Sequence, residues 1–131
     1  MTISNEKTPI ILLTGPAQPG GVYLLWIELA KAQALAFGKF RRGEQVYLPA
    51  GGYVYVGSAR GQRGASSLGY RLLRHATRTN GLPHSIRPAL LITLQERGLT
   101  AKLPARKSLH WHIDYLLELP DAALQGIAAI Q

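Results

Sequence analysis

The chain has 131 residues and no cysteine, and its fifteen Lys+Arg against seven Asp+Glu give a net charge of +8. The length suits one domain with a core of its own, and the missing thiols exclude disulfides, cysteine-bound zinc and thiol nucleophiles. The basic surplus is concentrated between Lys39 and Lys107, where thirteen bases meet only two acids, Glu44 and Glu96, for a local charge of +11. Such a field draws polyanions, and nucleic acid is the partner expected first; the plain alternative is a solvated basic face.

Residues 1–19 read as a Pro-containing lead-in with one short strand at Ile10–Leu13, and ordered structure is expected to begin at Gly20-Gly21. The apolar run Pro9–Leu13 is too short to span a membrane, and no basic start precedes it as in a signal peptide, so a soluble, cytoplasmic protein without a membrane partner is expected. Val22–Leu29 is β-branched, aromatic and nearly continuous in apolar character, the pattern of a central strand buried on both faces. Ala34–Phe37 and Gln45–Leu48 read as short strands joined by the basic turn Lys39–Gly43, and Pro49-Ala-Gly-Gly52 leads into a strand at Tyr53–Val56. Helical spacing of Leu68, Leu72 and Ala76 predicts a helix over Ser66–Arg78, capped by Ser66 or Ser67 and stopped by Asn80-Gly81. It places Arg71, Arg74 and Arg78 on one face, with His75 a turn beyond Arg71. Arg87–Arg97, with Pro88 in its first turn and Gly98 after it, reads as a second helix. His110–Glu118 fits either a strand or a helix, and Leu124–Ile130 a final strand. Together these make a small α+β domain, a mainly antiparallel sheet flanked by helices, over residues 20–131.

Two strands each carry a tyrosine next to a glycine turn: Gly21-Val22-Tyr23 opens one, and Tyr55-Val56-Gly57 closes the other, followed by Ser58-Ala59 and then by Tyr70-Arg71-Leu72-Leu73-Arg74-His75 on a helix. In this order they resemble the signature of the GIY-YIG nuclease family. The stretches Pro49-Ala-Gly-Gly-Tyr-Val-Tyr-Val-Gly-Ser-Ala59 and Trp111-His-Ile-Asp-Tyr-Leu-Leu117 resemble one prokaryotic branch of it, whose members occur alone or fused to endonuclease III-type repair enzymes. The second block also tips His110–Glu118 toward helix, and residues 79–108 look like a basic insertion relative to that branch. The resemblance implies a metal-dependent endonuclease that hydrolyses DNA phosphodiester bonds, in repair or processing, with Mg or Mn as divalent ion. Tyr23 would be the base or water-positioning phenol, Tyr55 its partner at the same site, Arg71 the clamp on the scissile phosphate, and His75 an assistant. Gly57, Ser58, Arg60, Arg63, Arg74 and Arg78 would hold the nucleic-acid backbone, with Gly57 kept small so that a ligand can approach.

The metal ligand stays open. The family carries a glutamate on a late helix, whereas here Asp114 and Glu118 are the acids in the right half, which leaves a longer natural chain, an acid from elsewhere, or a site that does not cut. The second reading is therefore a nucleic-acid-binding module that keeps the phosphate cradle without cleaving. A third uses His110, His112 and Asp114, which share one face on a strand, as a two-histidine, one-carboxylate metal site. Against all three stand bland roles: tyrosines that pack, arginines that wet a helix, and glycines that turn. Oligomeric state is not legible in the sequence.

Overall fold

The computed structural model describes residues 8–61, 67–99, 103–104, 107, 109 and 112–131. Six strands and three helices follow in the order β1 (Ile10–Thr14), β2 (Gly21–Leu29), β3 (Gln33–Ala36), β4 (Gln45–Leu48), β5 (Gly51–Ala59), α1 (Leu68–His75), α2 (Arg87–Glu96), α3 (His112–Leu117) and β6 (Ala122–Ile130). The main sheet has the order β1-β6-β2-β5; β1 runs parallel to β6, and the other pairs are antiparallel. β3 and β4 form a separate antiparallel hairpin inserted between β2 and β5. The fold is thus α+β with a mostly antiparallel sheet.

The strand expected at Ile10–Leu13 is not part of a loose lead-in. It is an edge strand of the main sheet, in register with β6 from Ile10 opposite Gly126 to Thr14 opposite Ile130. β2 is central, as its composition implied, but it is covered on one side only. Tyr23, Leu25, Ile27 and Leu29 are at most 2% exposed, whereas the alternate residues Val22 and Trp26 remain half exposed. The inner face gathers the leucines of all three helices, Leu72 and Leu73, Leu90 and Leu94, Leu116 and Leu117, into one core, each side chain contributing roughly 2 kcal/mol when fully buried.

α1 ends five residues before the Asn80-Gly81 stop. Thr77 Oγ1 turns back to the Leu73 carbonyl, and the Ala76 carbonyl accepts the His84 N–H. Arg78 therefore lies beyond the helix. Its guanidinium donates to the carbonyls of Leu117, Leu119, Leu82 and Ala122, which satisfies the open end of α3. His84, buried, sits between the Leu117 carbonyl at 2.8 Å and the Leu124 N–H at 3.1 Å. Ile86, Leu90 and Leu94 are fully buried, so 79–108 contributes to the core through one face of α2, while Leu82 and Ile92 stay exposed. α2 starts with Pro88 in its first turn and stops at Gly98, whose φ of +78° suits the residue after a helix. Among the described residues no helix is long and apolar enough to cross a membrane.

Candidate active site

Strand pairing decides where the first phenol goes. Tyr23 on β2 and Gly57 on β5 are direct cross-strand partners on the inner face. A Cβ built on Gly57 would lie 2.6 Å from both Cζ and Oη of Tyr23. The glycine is small because the phenol lies across it, not because a ligand does, which corrects the expectation for Gly57. Tyr55, two residues earlier on the same face, holds its ring centroid 6.4 Å from that of Tyr23. Both phenols therefore point to the helix side of the sheet.

α1 brings His75 to them from above. Its ring centroid is 5.5 Å from Tyr23 and 6.1 Å from Tyr55, and its Nε2 is 2.8 Å from Tyr23 Oη. On the other side of the ring, Nδ1 is 3.1 Å from Asp114 Oδ1 in α3. The tautomer that satisfies both contacts donates Nδ1–H to the carboxylate and accepts the phenolic O–H at Nε2. Burial lowers the imidazole's pKa in spite of Asp114, which keeps the ring neutral. Asp114 is fully buried but well compensated: Lys107 Nζ is 3.2 Å from Oδ1 and also donates to the Thr77 carbonyl at 3.0 Å, while Arg74 Nη2 is 3.6 Å from Oδ2. The result is a hydrogen-bonded series, phenol to imidazole to carboxylate, backed by a buried ammonium.

Arg71 completes the cluster. It donates to the Ser58 carbonyl, and its charge draws the pKa of both phenols down. That pull is overcome. Burial first, and then Tyr55, hold the Tyr23 phenol well above its ordinary value; burial and then Asp114 raise Tyr55. At neutral pH both phenols keep their protons. Chemically, the phenolic proton of Tyr23 can pass to His75 Nε2 only as a second proton reaches Tyr23 Oη from another donor, since burial disfavours the phenolate and the imidazolium alike.

The structure thus brings Tyr23, Tyr55, Arg71, Arg74 and His75 together. It does not bring Arg78, whose guanidinium is engaged by four carbonyls and is half-buried, so its expected place on the nucleic-acid backbone is corrected. The Ser58 side chain is exposed on the far face of β5 and only its carbonyl reaches Arg71; Arg60 is exposed just past β5. Arg63 and His110 lie outside the described residues. The two-histidine, one-carboxylate arrangement does not form from its described members. In α3 His112 is exposed with its ring against Phe40 at 5.4 Å, whereas Asp114 is buried against His75, since residues two apart on a helix diverge.

Whether these residues fit a divalent ion can be tested acid by acid. Asp114 offers oxygens already engaged by Lys107, His75 and Arg74. Glu118 accepts the Asn80 N–H, and its charge acts on Arg78 and Lys107. Glu28 lies on the outer face of β2, Glu44 and Glu96 are exposed, and Asp121 meets Gln33 and Ala30. Among the described residues no group of three metal-ligating side chains forms. The donor set at the phenol cluster does not fit a resident divalent ion.

A family model described as "Domain of unknown function DUF123" matches residues 22–131. The chain belongs to that family. No curated protein and no solved structure matches it. The DUF123 match spans every member of the cluster, from Tyr23 to Asp114, and leaves out β1. Within the DUF123 domain, two participants escaped sequence reasoning. Lys107 lies in the segment 79–108 that reads as a basic insertion, and Asp114 reads as a candidate metal ligand; nothing in their spacing from His75 announces that the three converge.

Proposed function

We propose that this DUF123 domain hydrolyses phosphodiester bonds in nucleic acid, DNA in the first instance. The observation that carries the reading is the series Tyr23–His75–Asp114 with Arg71 beside both phenols, in a chain whose positive charge is concentrated in the segment that supplies Arg71 and His75. The GIY-YIG resemblance supplies the same assignment for Tyr23, Tyr55 and Arg71. Phosphate approaches past Tyr55, the more open phenol, and Arg71 stabilises charge developing on its oxygens. The attacking water bonds to phosphorus as it gives a proton to Tyr23 Oη and the phenolic proton passes to His75 Nε2; the bond from phosphorus to the leaving sugar oxygen breaks, that oxygen takes a proton from solvent, and the imidazolium so formed faces the Asp114 carboxylate through Nδ1–H. Lys107 and Arg74 hold that carboxylate in place.

The second reading, a nucleic-acid-binding module that does not cleave, draws on the engaged state of Asp114, which leaves the cluster without a free acid. Plasmid nicking separates the two. Supercoiled plasmid is incubated with the native chain in magnesium, in manganese and in chelator, beside Arg71→Ala and His75→Ala variants shown by thermal melting to be folded. Nicking by the native chain and not by the variants is the expected result. Plasmid that stays supercoiled in every condition, while binding weakens steeply with salt, overturns hydrolysis in favour of the binding module.

A further inference from the structure

All three helices cover one side of the main sheet, and among the described residues no element covers the other side. Ile10 and Leu12 on β1, Val22 and Trp26 on β2, and Val54 and Val56 on β5 are each between 51% and 63% exposed. With the small residues between them they present on the order of 700 Å² of apolar surface, more than the ~300–600 Å² of a typical monomer's largest patch and close to the ~800 Å² per partner of a standard interface. No lysine or arginine lies on the outward positions of these strands, in a chain of net charge +8. Among the described residues a nucleic acid or an anionic membrane surface finds no cation on these strands.

We infer that this face binds a second copy of the same chain. Its relief is self-complementary. Trp26 rises over Gly126 and Gly52, neither of which has a side chain to crowd it, and the valines of β5 continue that ridge. Beside it runs a groove of about 550 Å³, floored by Gly126 and Ala128 of β6, walled by Ile10, Leu12, Leu24 and Trp26 itself, and lined also by the polar Glu28 and Gln125. A two-fold axis across the face seats the ridge of each copy in the groove of the other, as an isologous interface requires, with the sheets packed about 10 Å apart. Because Tyr23 and Tyr55 lie on the inner face, the dimer leaves both clusters facing outward. The inference rests on the sheet and is independent of the hydrolysis reading.

Sedimentation equilibrium of the native chain over a wide concentration range tests it. The expected species has twice the 14.3 kDa chain mass. Val54→Lys and Leu12→Lys, on opposite edges of the face, each set like charges against one another and should raise the dissociation constant at least roughly tenfold. Their circular dichroism should match the native spectrum, since both side chains are already more than half exposed. Ile92→Lys, on the exposed side of α2, should leave the dimer intact. A native chain that sediments as a monomer throughout overturns the inference, including the case in which a different protein covers the face. So does a dimer indifferent to both lysines.

Discussion

Replacing Gly57 with alanine adds one methyl group, and the geometry says where it lands. At 2.6 Å from Cζ and Oη of Tyr23, it is about an ångström inside the ~3.5–4.0 Å of a relaxed carbon contact. The β5 backbone is held along its length by β2, so the ring must give way. The ring is itself tied to His75 by the 2.8 Å hydrogen bond. Overpacking of this kind costs about 1–3 kcal/mol, and loss of the buried hydrogen bond a further ~1–3 kcal/mol. The gain from a stiffer unfolded chain returns only ~0.4–1 kcal/mol. We expect a net loss of about 2–4 kcal/mol, read as a lower urea midpoint with an unchanged slope and a melting temperature down by roughly 8–15 °C. The same substitution in a Tyr23→Ala background meets no ring and should be neutral or stabilising, a coupling of at least ~2 kcal/mol. Stability within ~0.5 kcal/mol of the native chain, or an equal loss in both backgrounds, would refute the account of why a glycine stands opposite Tyr23.

Two further outcomes follow from the buried charges. Asp114→Asn removes the carboxylate that holds Lys107, whose side chain is fully buried and whose charge burial already disfavours; unfolding in urea should show a loss of about 3–5 kcal/mol, partly restored when Lys107→Met is added. Stability should also fall with acid. His84 takes a proton below about 6.5 when unfolded, but in the fold burial, with Arg78 second, lowers its pKa to about 4. Its contribution is therefore complete above the unfolded value and is lost as the pH drops toward the folded one, on the order of 3 kcal/mol in all. His75, whose pKa is also lowered by burial, acts with the same sign. Urea midpoints taken from pH 7 down to pH 5 should decline for the native chain and decline less steeply for His84→Gln, which keeps one donor and one acceptor whatever the pH, His75 supplying the remaining slope. Level midpoints for the native chain would contradict this.

Local chemistry wrote much of the fold into the chain. The aromatic and β-branched runs of β2, β4 and β5 and the leucine spacing of α1 and α2 fall where the pattern puts them, because these elements choose their conformation from neighbours a few residues away. The pairing of β1 with β6 escaped, since a parallel partner more than a hundred residues distant leaves no local trace. The continuous apolar run of β2 was read as burial on two faces; composition reports that a surface avoids water and is silent on whether the same chain provides the cover. At the candidate site the tyrosines and the α1 basic cluster were visible as a pattern. Asp114 and Lys107 were not, because a buried ion pair is a fact about two distant segments meeting. Gly57 was visible and misassigned, since a missing side chain looks the same whether a phosphate or a phenol occupies the space.

The strand order bears on how the protein is made. β6 lies between β1 and β2, yet it is the last strand of the main sheet in sequence. While the ribosome is still working, β1 and one border of β2 carry unmatched amides and carbonyls with nothing to zip onto, and β1 has no neighbour at all. Only when the segment from Ala122 to Ile130 leaves the exit tunnel do the two halves lock around it. Folding of this kind is slow and waits for β6, so the nascent chain presents adhesive edges until that strand arrives, and holdase chaperones have their opportunity there.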